Sequence, residues 1–549
     1  DLLFREPRSL HLSVLPMGRT LTKLGGKSGG HVTADDIVVT HGTVASVSGG
    51  GKTWNVVVNP EAGFEGTMGF SVNEGAVTDA LSNASAAAFA EGQAIDTNAP
   101  TVTTFAPADG ATAVGTGSDI VVSFSEAVKL GTGTIAIHAG STTGAVLESF
   151  DVATSARVTL SGTTLTVNPA STLADGAQYF VTFSAGVVTD MAGNAFAGTD
   201  TYDFTTAAAQ PLNLSGTVGA DVLIGGSASD TLKGLGGTDT MDGRDGSDVY
   251  IIGTAGEHAA AEIADTGNTG IDEVRFTATG TATLTLYAGD TGIELATAAP
   301  GSAALSINAA AVLNGLTIQG NAGANTLTGT NLDDVLIGGA GNDMLNGGNG
   351  NDTASYADQT SAVTVNLSVT KAQNTGAAGS DTLKSIENLI GGSGNDVLTG
   401  SLGANRIEGG AGNDTIDGGA GADRLLGGDG ADTMLAGAGS DGLWGGLGAD
   451  TFVFKAIADS AISGPDIIWD FSHAEADKID LRSIDANSVM KGDQAFTLAT
   501  SFSHKSGELV IATEGDHYLV QGDVNGDGVA DFVIALHSAT SLWAGDFLL

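Results

Sequence analysis

The chain of 549 residues contains no cysteine, which excludes disulfide bonds, cysteine-bound metals and thiol nucleophiles. Lysine and arginine are scarce, at 20 against 63 aspartates and glutamates, and the net charge is −43. Such acidity disfavours nucleic acid and anionic membranes as partners, and it opposes compaction unless cations neutralise it. No apolar run approaches the length of a membrane span. The folded protein therefore needs a source of stabilisation other than disulfide crosslinks.

By its length the chain is expected to hold about three or four domains. It opens at Asp1 rather than at a methionine, so we expect a fragment or a processed product. For that reason the lack of a cleavable N-terminal signal is weak evidence about targeting.

Glycine, in contrast, is abundant, and much of it falls in nine-residue units. Residues 391–453 are seven such units in unbroken phase, each fitting or nearly fitting GGxGxDxUx, where U is a large apolar residue. The sixth position holds Asp396, Asn405, Asp414, Asp423, Asp432, Asp441 and Asp450. The eighth holds Leu398, Ile407, Ile416, Leu425, Met434, Leu443 and Phe452. A fixed period with this content indicates a calcium-binding parallel β-roll.

The unit itself explains this fold. Its first six residues form a turn, because glycine allows positive φ, and its last three form a short strand with one side chain in the core. Two units make one coil, so aspartates 18 residues apart should stack in columns. Such columns would repel one another unless a hard cation, which takes six to eight oxygens, lies between them. A glycine-rich linker that happens to carry aspartate is the alternative, and the strict register of the apolar position disfavours it.

These units resemble the RTX repeats of proteins exported by Gram-negative type I secretion. The resemblance implies that calcium lies between a turn and the turn two units further along. We therefore predict ions between Asp396 and Asp414, Asp414 and Asp432, and Asp432 and Asp450. On the opposite edge, an ion is predicted between Asp423 and Asp441.

Two further blocks share the pattern. Residues 216–251 place Asp221, Asp230, Asp239 and Asp248 at the ligand position, and residues 320–355 place Asn325, Asp334, Asp343 and Asp352 there. We predict that Asp221 pairs with Asp239, Asp230 with Asp248, Asp334 with Asp352, and more weakly Asn325 with Asp343. The neutral Asn325 and Asn405 predict weaker terminal sites. Residues 376–384 form one degenerate unit that carries Asp381.

Residues 253–319 lack the glycine–aspartate turns but keep apolar doublets at intervals of about nine to twelve residues. The doublets are Val274/Phe276, Leu284/Leu286, Ile293/Leu295, Leu305/Ile307 and Leu316/Ile318. This spacing favours further coils with longer, metal-free turns, and a separate small β-domain is the alternative.

Ahead of the repeats, short alternating strands separated by glycine-rich turns predict two β-sandwiches. Trp54, Val56 and Val58 alternate in the first, and Ile120, Val122 and Phe124 in the second. Both resemble bacterial Ig-like domains. The match rests on a turn at residues 79–83, with serine in place of glycine, and on residues 188–194 followed by 202–204. Before them, residues 26–30 formally fit the G-x-S-x-G nucleophile motif but lack its flanking strand and helix.

Four stretches after the last repeat are similar to the C-terminal region of serralysin-type secreted proteases. They are residues 463–471 (SGPDIIWDF), 477–487 (DKIDLRSIDAN), 522–532 (GDVNGDGVADF) and 546–549 (DFLL). The resemblance implies a cap on the open end of the roll and an uncleaved export signal at the extreme C-terminus. Asp523, Asn525 and Asp527 begin like an EF-hand loop, but position twelve is Ile534, so a turn is favoured over a calcium site.

Catalytic motifs are missing by contrast. A zinc protease needs two histidines one helical turn apart with a glutamate beside them, and the segment from His258 to Glu262 does not meet this pattern. None of the nine histidines forms a pair with metal-ligand spacing. The sequence carries no nucleotide-binding motif either, so we predict a protein that is not an enzyme.

The predicted fold is all-β: two Ig-like β-sandwiches, then a calcium-binding parallel β-roll (a β-solenoid) with a C-terminal β cap. The predicted boundaries are 1–30 (unassigned leader or remnant), 31–97 and 98–207 (Ig-like), 208–252 (first repeat block), 253–319 (metal-poor solenoid), 320–355 (second block), 356–390 (insertion), 391–453 (third block) and 454–549 (cap and export signal).

Three functional hypotheses follow. The leading one is a non-enzymatic extracellular protein of a cell-surface adhesin, surface layer or matrix, which binds several calcium ions and folds on them after export by the type I secretion machinery. The rival is the export and folding half of a secreted hydrolase whose catalytic domain lies upstream. The third is a subunit of a calcium-dependent homo-oligomer, fibre or surface lattice. None involves nucleic acid or a membrane span.

Overall fold

The computed structural model describes residues 19–22, 32–50, 53–76, 89–515, 517–537 and 542–549. Strands dominate these residues, and their only helical segments are three single 3₁₀ turns at Ala34–Asp36, Ala255–Glu257 and Ala544–Asp546. No helix of the described part is long and apolar enough to cross a membrane. Backbone contacts divide the chain into two compact units, Asp1–Ala209 and Gln210–Leu549. The all-β prediction is confirmed.

The first sandwich consists of two three-stranded antiparallel sheets. Its strands are β1 (Arg19–Thr22), β2 (Ile37–Thr40), β3 (Gly42–Gly50), β4 (Thr53–Pro60), β5 (Glu65–Val72) and β6 (Phe89–Asp96), in the orders β1-β4-β3 and β2-β5-β6. Trp54, Val56 and Val58 point into its core, as their alternation predicts. Strand β1 lies in the segment that the sequence leaves unassigned, and it pairs with β4. Residues 26–30 and 79–83, singled out by motif, lie outside the described residues.

The second sandwich packs a five-stranded sheet, β12-β11-β15-β17-β8, and a four-stranded sheet, β13-β14-β9-β7, around one core. Its strands are β7 (Val102–Ala106), β8 (Ala111–Val114), β9 (Ile120–Phe124), β10 (Val128–Leu130), β11 (Thr134–Ala139), β12 (Val146–Asp151), β13 (Val158–Ser161), β14 (Thr164–Val167), β15 (Gln178–Phe183), β16 (Val188–Asp190) and β17 (Thr199–Thr206). Ile120, Val122 and Phe124 are buried at alternate positions, because successive side chains of a strand point to opposite faces.

The second compact unit is a ladder of short strands, most of them parallel. These are β18 (Asn213–Ser215), β19 (Val222–Ile224), β20 (Thr231–Lys233), β21 (Thr240–Asp242), β22 (Val249–Ile252), β23 (Glu273–Phe276), β24 (Ala282–Thr285), β25 (Leu295–Ala298), β26 (Leu305–Asn308), β27 (Thr317–Gln319), β28 (Thr326–Thr328), β29 (Val335–Ile337), β30 (Met344–Asn346), β31 (Thr353–Ser355), β32 (Thr364–Asn366), β33 (Gln373–Gly376), β34 (Gly379–Lys384), β35 (Asn388–Ile390), β36 (Val397–Thr399), β37 (Arg406–Ala411), β38 (Thr415–Asp417), β39 (Arg424–Asp429), β40 (Thr433–Leu435), β41 (Gly442–Leu447), β42 (Thr451–Val453), β43 (Asp466–Ile468), β44 (Lys478–Asp480), β45 (Thr497–Ala499), β46 (Glu508–Glu514), β47 (His517–Asp523), β48 (Phe532–Leu536) and β49 (Phe547–Leu548).

Successive strands of the repeats alternate between two faces. One face is a sheet of 17 strands that runs from β18 to β48, and the other is built from shorter sheets such as β32-β36-β38-β40-β42-β44-β49. Each strand pairs with the strand one full coil later, as Leu398 with Ile416 and Ile407 with Leu425. The apolar residue at position eight is fully buried in every unit of residues 391–453. This is the predicted β-roll.

Residues 253–319 continue the same roll rather than form a domain of their own. Strands β23, β25 and β27 extend the 17-stranded sheet, while β24 and β26 lead directly into the strands of the next repeat block. Val274 and Phe276 are fully buried in the common core. In the insertion, β33 and β34 form a hairpin, and β34 stacks on β30. One coil there therefore takes 38 residues instead of 18.

The end of the roll is covered by antiparallel strands. Strands β46, β47 and β48 form a meander, and β48 also pairs with β43. On the other face, β49 pairs with β44. A parallel ladder leaves unpaired backbone groups at its last strand, and this pairing removes them from solvent.

Candidate metal centres

Aspartates at position six form two columns along the third repeat block. In the first column the backbone N–H of Asp396 donates to Asp414 Oδ1 over 2.7 Å, and Asp414 N–H donates to Asp432 Oδ1 over 2.8 Å. Asp432 N–H continues the column to Asp450 Oδ1. The second column runs from Asn405 to Asp423 and on to Asp441 in the same way. Each carboxylate is thus fixed by the coil before it, at the predicted spacing of 18 residues.

The second oxygen of the later carboxylates in each column accepts no hydrogen bond from the described residues. Oδ2 is buried and has no hydrogen-bond partner in the described part of the chain in Asp414, Asp423, Asp432, Asp441 and Asp450. In Asp414, Asp423, Asp432 and Asp450 this oxygen faces the first glycine of its own unit, where a side chain would clash with it, whereas the unit of Asp441 begins with Ala436. A Cβ on Gly409, for instance, would lie within 3.0 Å of Asp414 Oδ2 and of the Gly427 carbonyl oxygen. The turns therefore offer carboxylate and carbonyl oxygens at close quarters, which are the ligands that calcium takes.

Burial makes these carboxylates resist ionisation while no cation is near. It raises the pKa of Asp414, Asp423 and Asp450 to about 7 and that of Asp441 to about 6, against the opposing effect of the backbone N–H donors. Carboxylates in the adjacent coils add to the rise. A bound divalent cation reverses this balance because it favours the charged form.

The first turn of each column is different, because a backbone N–H of the same turn already donates a hydrogen bond to the side-chain oxygen. Asp396 Oδ2 accepts the N–H of Gly392 over 2.6 Å, and the side-chain oxygen of Asn405 accepts the N–H of Ser401 over 2.6 Å. In the following turns the equivalent residue is a glycine at positive φ, such as Gly410 at 107° and Gly428 at 113°. Only glycine adopts this conformation cheaply, and there the aspartate oxygen stays free for an ion.

Both patterns recur in the two earlier blocks, although in the first block the residues at positive φ are Leu235 and Arg244 rather than glycines. Asp230 N–H donates to Asp248 over 2.6 Å, and Asp334 N–H donates to Asp352 over 2.9 Å. Asp221 N–H donates to Asp239, and Asn325 N–H to Asp343. Among described residues, a buried and unpartnered Oδ2 is found in Asp239, Asp248, Asp343 and Asp352. The first turns of these columns, at Asp221, Asp230, Asn325 and Asp334, are satisfied by amides four residues earlier. Burial raises the pKa of Asp343 to about 7 and that of Asp248 and Asp352 to about 6.

Asp381 joins a column despite its place in the insertion. Its Oδ1 accepts the N–H of Asp343 over 2.9 Å. Its Oδ2, however, accepts the hydroxyls of Tyr356 and Thr375 over 3.1 and 2.9 Å. Both oxygens of this predicted ligand therefore accept hydrogen bonds from the protein.

Two aspartates of the cap extend the columns, and the nine-residue period did not reveal them. Asp441 N–H donates to Asp466 Oδ1 over 2.8 Å, and Asp450 N–H donates to Asp477 Oδ1 over 3.0 Å. Asp466 Oδ2 is buried without a partner among the described residues, and burial raises the pKa of Asp466 to about 8. The signal that could have found them is the triplet aspartate-x-apolar, which both retain at the start of a strand.

The loop that begins like an EF-hand is closed by its own backbone. Asp523 Oδ1 accepts the N–H of Gly526 over 2.6 Å, and Oδ2 accepts the N–H of Gly528 over 2.9 Å. Asp531 receives the N–H of Val524 and the amide of Asn525. These bonds describe a tight polar turn.

Comparisons with known families agree with this architecture. The RTX calcium-binding nonapeptide repeat matches residues 215–250 and 319–354, and the serralysin C-terminal region of M10 peptidases matches residues 380–549. Bacterial Ig-like domain models match residues 28–94 and 96–206. No curated protein matches the chain.

Two solved structures from Azotobacter vinelandii are similar to part of the chain. The AlgE6R3 subunit of mannuronan C5-epimerase is 28% identical and covers 28% of this chain and 78% of its own, with a TM-score of 0.19. The AlgE6R2 subunit is 26% identical and covers 30% of this chain and 92% of its own, with a TM-score of 0.21. The chain described here is a secreted, calcium-binding protein that joins two bacterial Ig-like domains to RTX nonapeptide repeats and a serralysin-type C-terminal region.

Proposed function

We propose that this chain is a non-enzymatic calcium-dependent module of a cell-surface adhesin, surface layer or extracellular matrix. The observation that carries the proposal is the series of two Ig-like domains ahead of the RTX roll, since Ig-like repeats in series serve as spacers that hold a terminal module away from its anchor. All the domains that the comparisons identify are of non-catalytic types.

Calcium would switch this module on outside the cell. The roll gathers buried carboxylates into columns, and a ligand that binds only the folded state stabilises it by RT ln(1 + [L]/Kd) per site. Extracellular calcium modules typically bind at roughly 10⁻⁴–10⁻³ M, far above the calcium concentration of the cytosol. The roll would thus stay unfolded during export by the type I machinery and fold after it.

Attachment can be measured with coated beads. Beads that carry the full chain are expected to adhere to glass, to polystyrene, to a glycan array or to one another in millimolar calcium, and to release in chelator. Beads that carry residues 1–209 alone are the control and should not show this calcium dependence. Failure of the full chain to adhere to any of these surfaces in calcium would contradict the adhesive role.

A second candidate is the export and folding half of a secreted hydrolase. The match of residues 380–549 to the serralysin C-terminal region favours it, because in that family the same region follows a protease domain. The protein sequence that precedes Asp1 in the source genome distinguishes the two. Further Ig-like repeats there support the adhesin, whereas a zinc-binding catalytic domain supports the hydrolase.

A further inference from the structure

A cluster of three buried aspartates lies at the junction between the first repeat block and residues 253–319. It consists of Asp248, Asp265 and Asp272, whose side chains are at most 8% exposed. One carboxylate oxygen of each lies within 4.8 Å of the corresponding oxygens of the other two. Asp248 is the last aspartate of the repeat block, but Asp265 and Asp272 belong to the stretch that the sequence predicts to be free of metal.

Two of these carboxylates are held in place by backbone N–H donors, and Asp248 keeps one oxygen without a partner. Asp272 Oδ1 accepts the N–H of Asp248 over 2.8 Å, so Asp272 continues the column of the first block. Asp248 Oδ1 accepts the N–H of Asp230, and its Oδ2 is buried without a partner in the described chain. Residues 270–274 (GIDEV) keep the glycine-x-aspartate-x-apolar half of the repeat, although the rest of the unit is missing.

Asp265 approaches from outside the column. Its Oδ2 accepts the hydroxyl of Tyr250 over 2.5 Å, and its Oδ1 accepts the N–H of Gly267 over 2.7 Å. The Tyr250 hydroxyl in turn accepts the N–H of Gly243, the first residue of the unit that contains Asp248. This chain of bonds orients Asp265 toward the turn, as outer-shell donors orient the ligands of metal sites.

Three carboxylates in one buried place need a counter-charge. Across the described residues none of the three forms an ion pair with lysine, arginine or histidine. Isolated buried carboxylates are costly, and oxygen-only ligand sets suit hard divalent cations. We propose that Asp248, Asp265 and Asp272 bind one calcium ion, at a site that the nonapeptide pattern does not encode and that fastens the metal-poor coils to the first repeat block.

The number of bound ions tests the proposal directly. Equilibrium dialysis of the full chain against saturating calcium is expected to give one ion fewer per chain for the Asp265→Asn/Asp272→Asn variant than for the unmodified protein. Asparagine keeps one acceptor oxygen, so position 272 can still accept the N–H of Asp248 and position 265 can still accept one of the two hydrogen bonds that Asp265 receives. Asp245→Asn is the matched control, because it removes one exposed carboxylate from the same turn and should leave the count unchanged. An equal count in the double variant and the unmodified chain overturns the proposal.

Terbium supplies a second measurement that does not depend on the double variant folding. Tyr250 contacts Asp265, so terbium at this site should be excited through Tyr250. Tyr250→Phe is expected to lower tyrosine-sensitised terbium emission, because it removes the donor chromophore beside the site. If Tyr250→Phe leaves the emission unchanged, terbium does not bind beside Tyr250 and the site is wrong.

Discussion

At the residue scale, adjacent glycines of one repeat have different structural roles, although the sequence does not distinguish them. A Cβ on Gly225 would lie within 3.0 Å of Asp230 Oδ2 and of the Gly243 carbonyl oxygen, whereas a Cβ on Gly226 would come no closer than 3.8 Å to that carboxylate. Gly225 therefore leaves room in the turn for the Asp230 carboxylate, whereas Gly226 is not needed for that room.

The two adjacent substitutions should separate these tasks. Gly225→Ala is expected to lower the free energy of unfolding in calcium by about 1–3 kcal/mol, the usual cost of an overpacked site. Gly226→Ala should stay near the unmodified protein, because its backbone N–H can still donate to Asp230. Thermal unfolding in saturating calcium measures both. Equal destabilisation by the two variants would contradict this role of Gly225.

A matched pair of aspartates tests the columns. Asp429 and Asp432 belong to the same unit, but Asp429 is exposed whereas Asp432 is buried with a free oxygen. We expect Asp432→Asn to raise the calcium concentration at half-folding roughly tenfold, which corresponds to about 1.4 kcal/mol. Asp429→Asn removes the same charge and should change the midpoint little, because exposed charges interact weakly. Circular dichroism during a calcium titration gives both midpoints, and equal shifts would count against the columns.

At this scale the sequence predicts the columns of aspartates. It does not predict that the first turn of each column differs from the later turns. Position six and the spacing of 18 residues place Asp414 beside Asp396, and the structure has that register. No pattern indicated that amides already satisfy the first turn of each column, because that depends on the φ of the residue four positions earlier. Asp466 and Asp477 were missed because they lie 25 and 27 residues beyond their partners.

At the element scale, residues 253–319 bury a histidine between two carboxylates. His258 lies between two carboxylates, with Nε2 2.9 Å from Asp290 Oδ2 and Nδ1 3.3 Å from Glu262 Oε2. All three side chains are almost fully buried. Burial lowers the pKa of His258, but the hydrogen bond and charge of Asp290, followed by those of Glu262, outweigh it and raise the pKa overall. The raised pKa favours an imidazolium here, which would supply the two carboxylates with positive charge, the role that we expect of calcium in the columns.

Removal of that charge should destabilise these coils. His258→Leu leaves buried carboxylates without their partner, and breaking a buried pair typically costs about 3–5 kcal/mol. The stabilisation in the unmodified chain is fully present below the ordinary histidine pKa and is lost as the pH rises through the raised pKa of the folded state. Hydrogen exchange of residues 253–319 at acid and alkaline pH should show this trend. Substitution of the exposed His504 is the control, and equal protection in His258→Leu and the control would refute the role of His258.

The sequence could predict these coils but not this cluster. The apolar doublets give the strands, since Val274, Phe276, Leu305 and Ile307 all enter the core. Near Ile293 the register differs, because β25 points Ala296 and Ala298 inward. His258 and Glu262 lie four residues apart, and the sequence shows only that this segment does not meet the zinc-protease pattern. Asp290 lies 32 residues from His258, and only the closed coil brings it there.

At the scale of the whole molecule, the two compact units should respond differently to calcium. Residues 210–549 are expected to lose most of their β-signal in excess chelator and regain it in millimolar calcium, since each site contributes about 2.7 kcal/mol at a hundredfold excess over its Kd. Residues 1–209 have ordinary apolar sandwich cores and serve as the control. Circular dichroism of the two units measures the difference. Full β-signal of residues 210–549 in chelator would show that the apolar core suffices.

Acid should replace calcium in the roll. The raised pKa values of Asp414, Asp423, Asp450 and Asp466, about 7 to about 8, mean that the folded metal-free state holds protons more tightly than the unfolded chain. Its stability is therefore greatest below the ordinary aspartate pKa and is lost as the pH rises through 6–8. In chelator, residues 210–549 should be more folded at pH about 4.5 than at pH about 8. A metal-free roll that is more stable at pH about 8 would contradict this linkage.

The position of the last residues in the fold has a consequence for the timing of export. Asp546 is fully buried and bonded to His473 and to the N–H of Trp543, and Phe547 pairs with Ile479 in the roll. If residues 546–549 are the export signal, the exporter can bind them only while the chain is unfolded. Folding then makes the export signal inaccessible to the exporter. A molecule that folds on calcium inside the cell can no longer be exported, and one that folds outside no longer needs the signal.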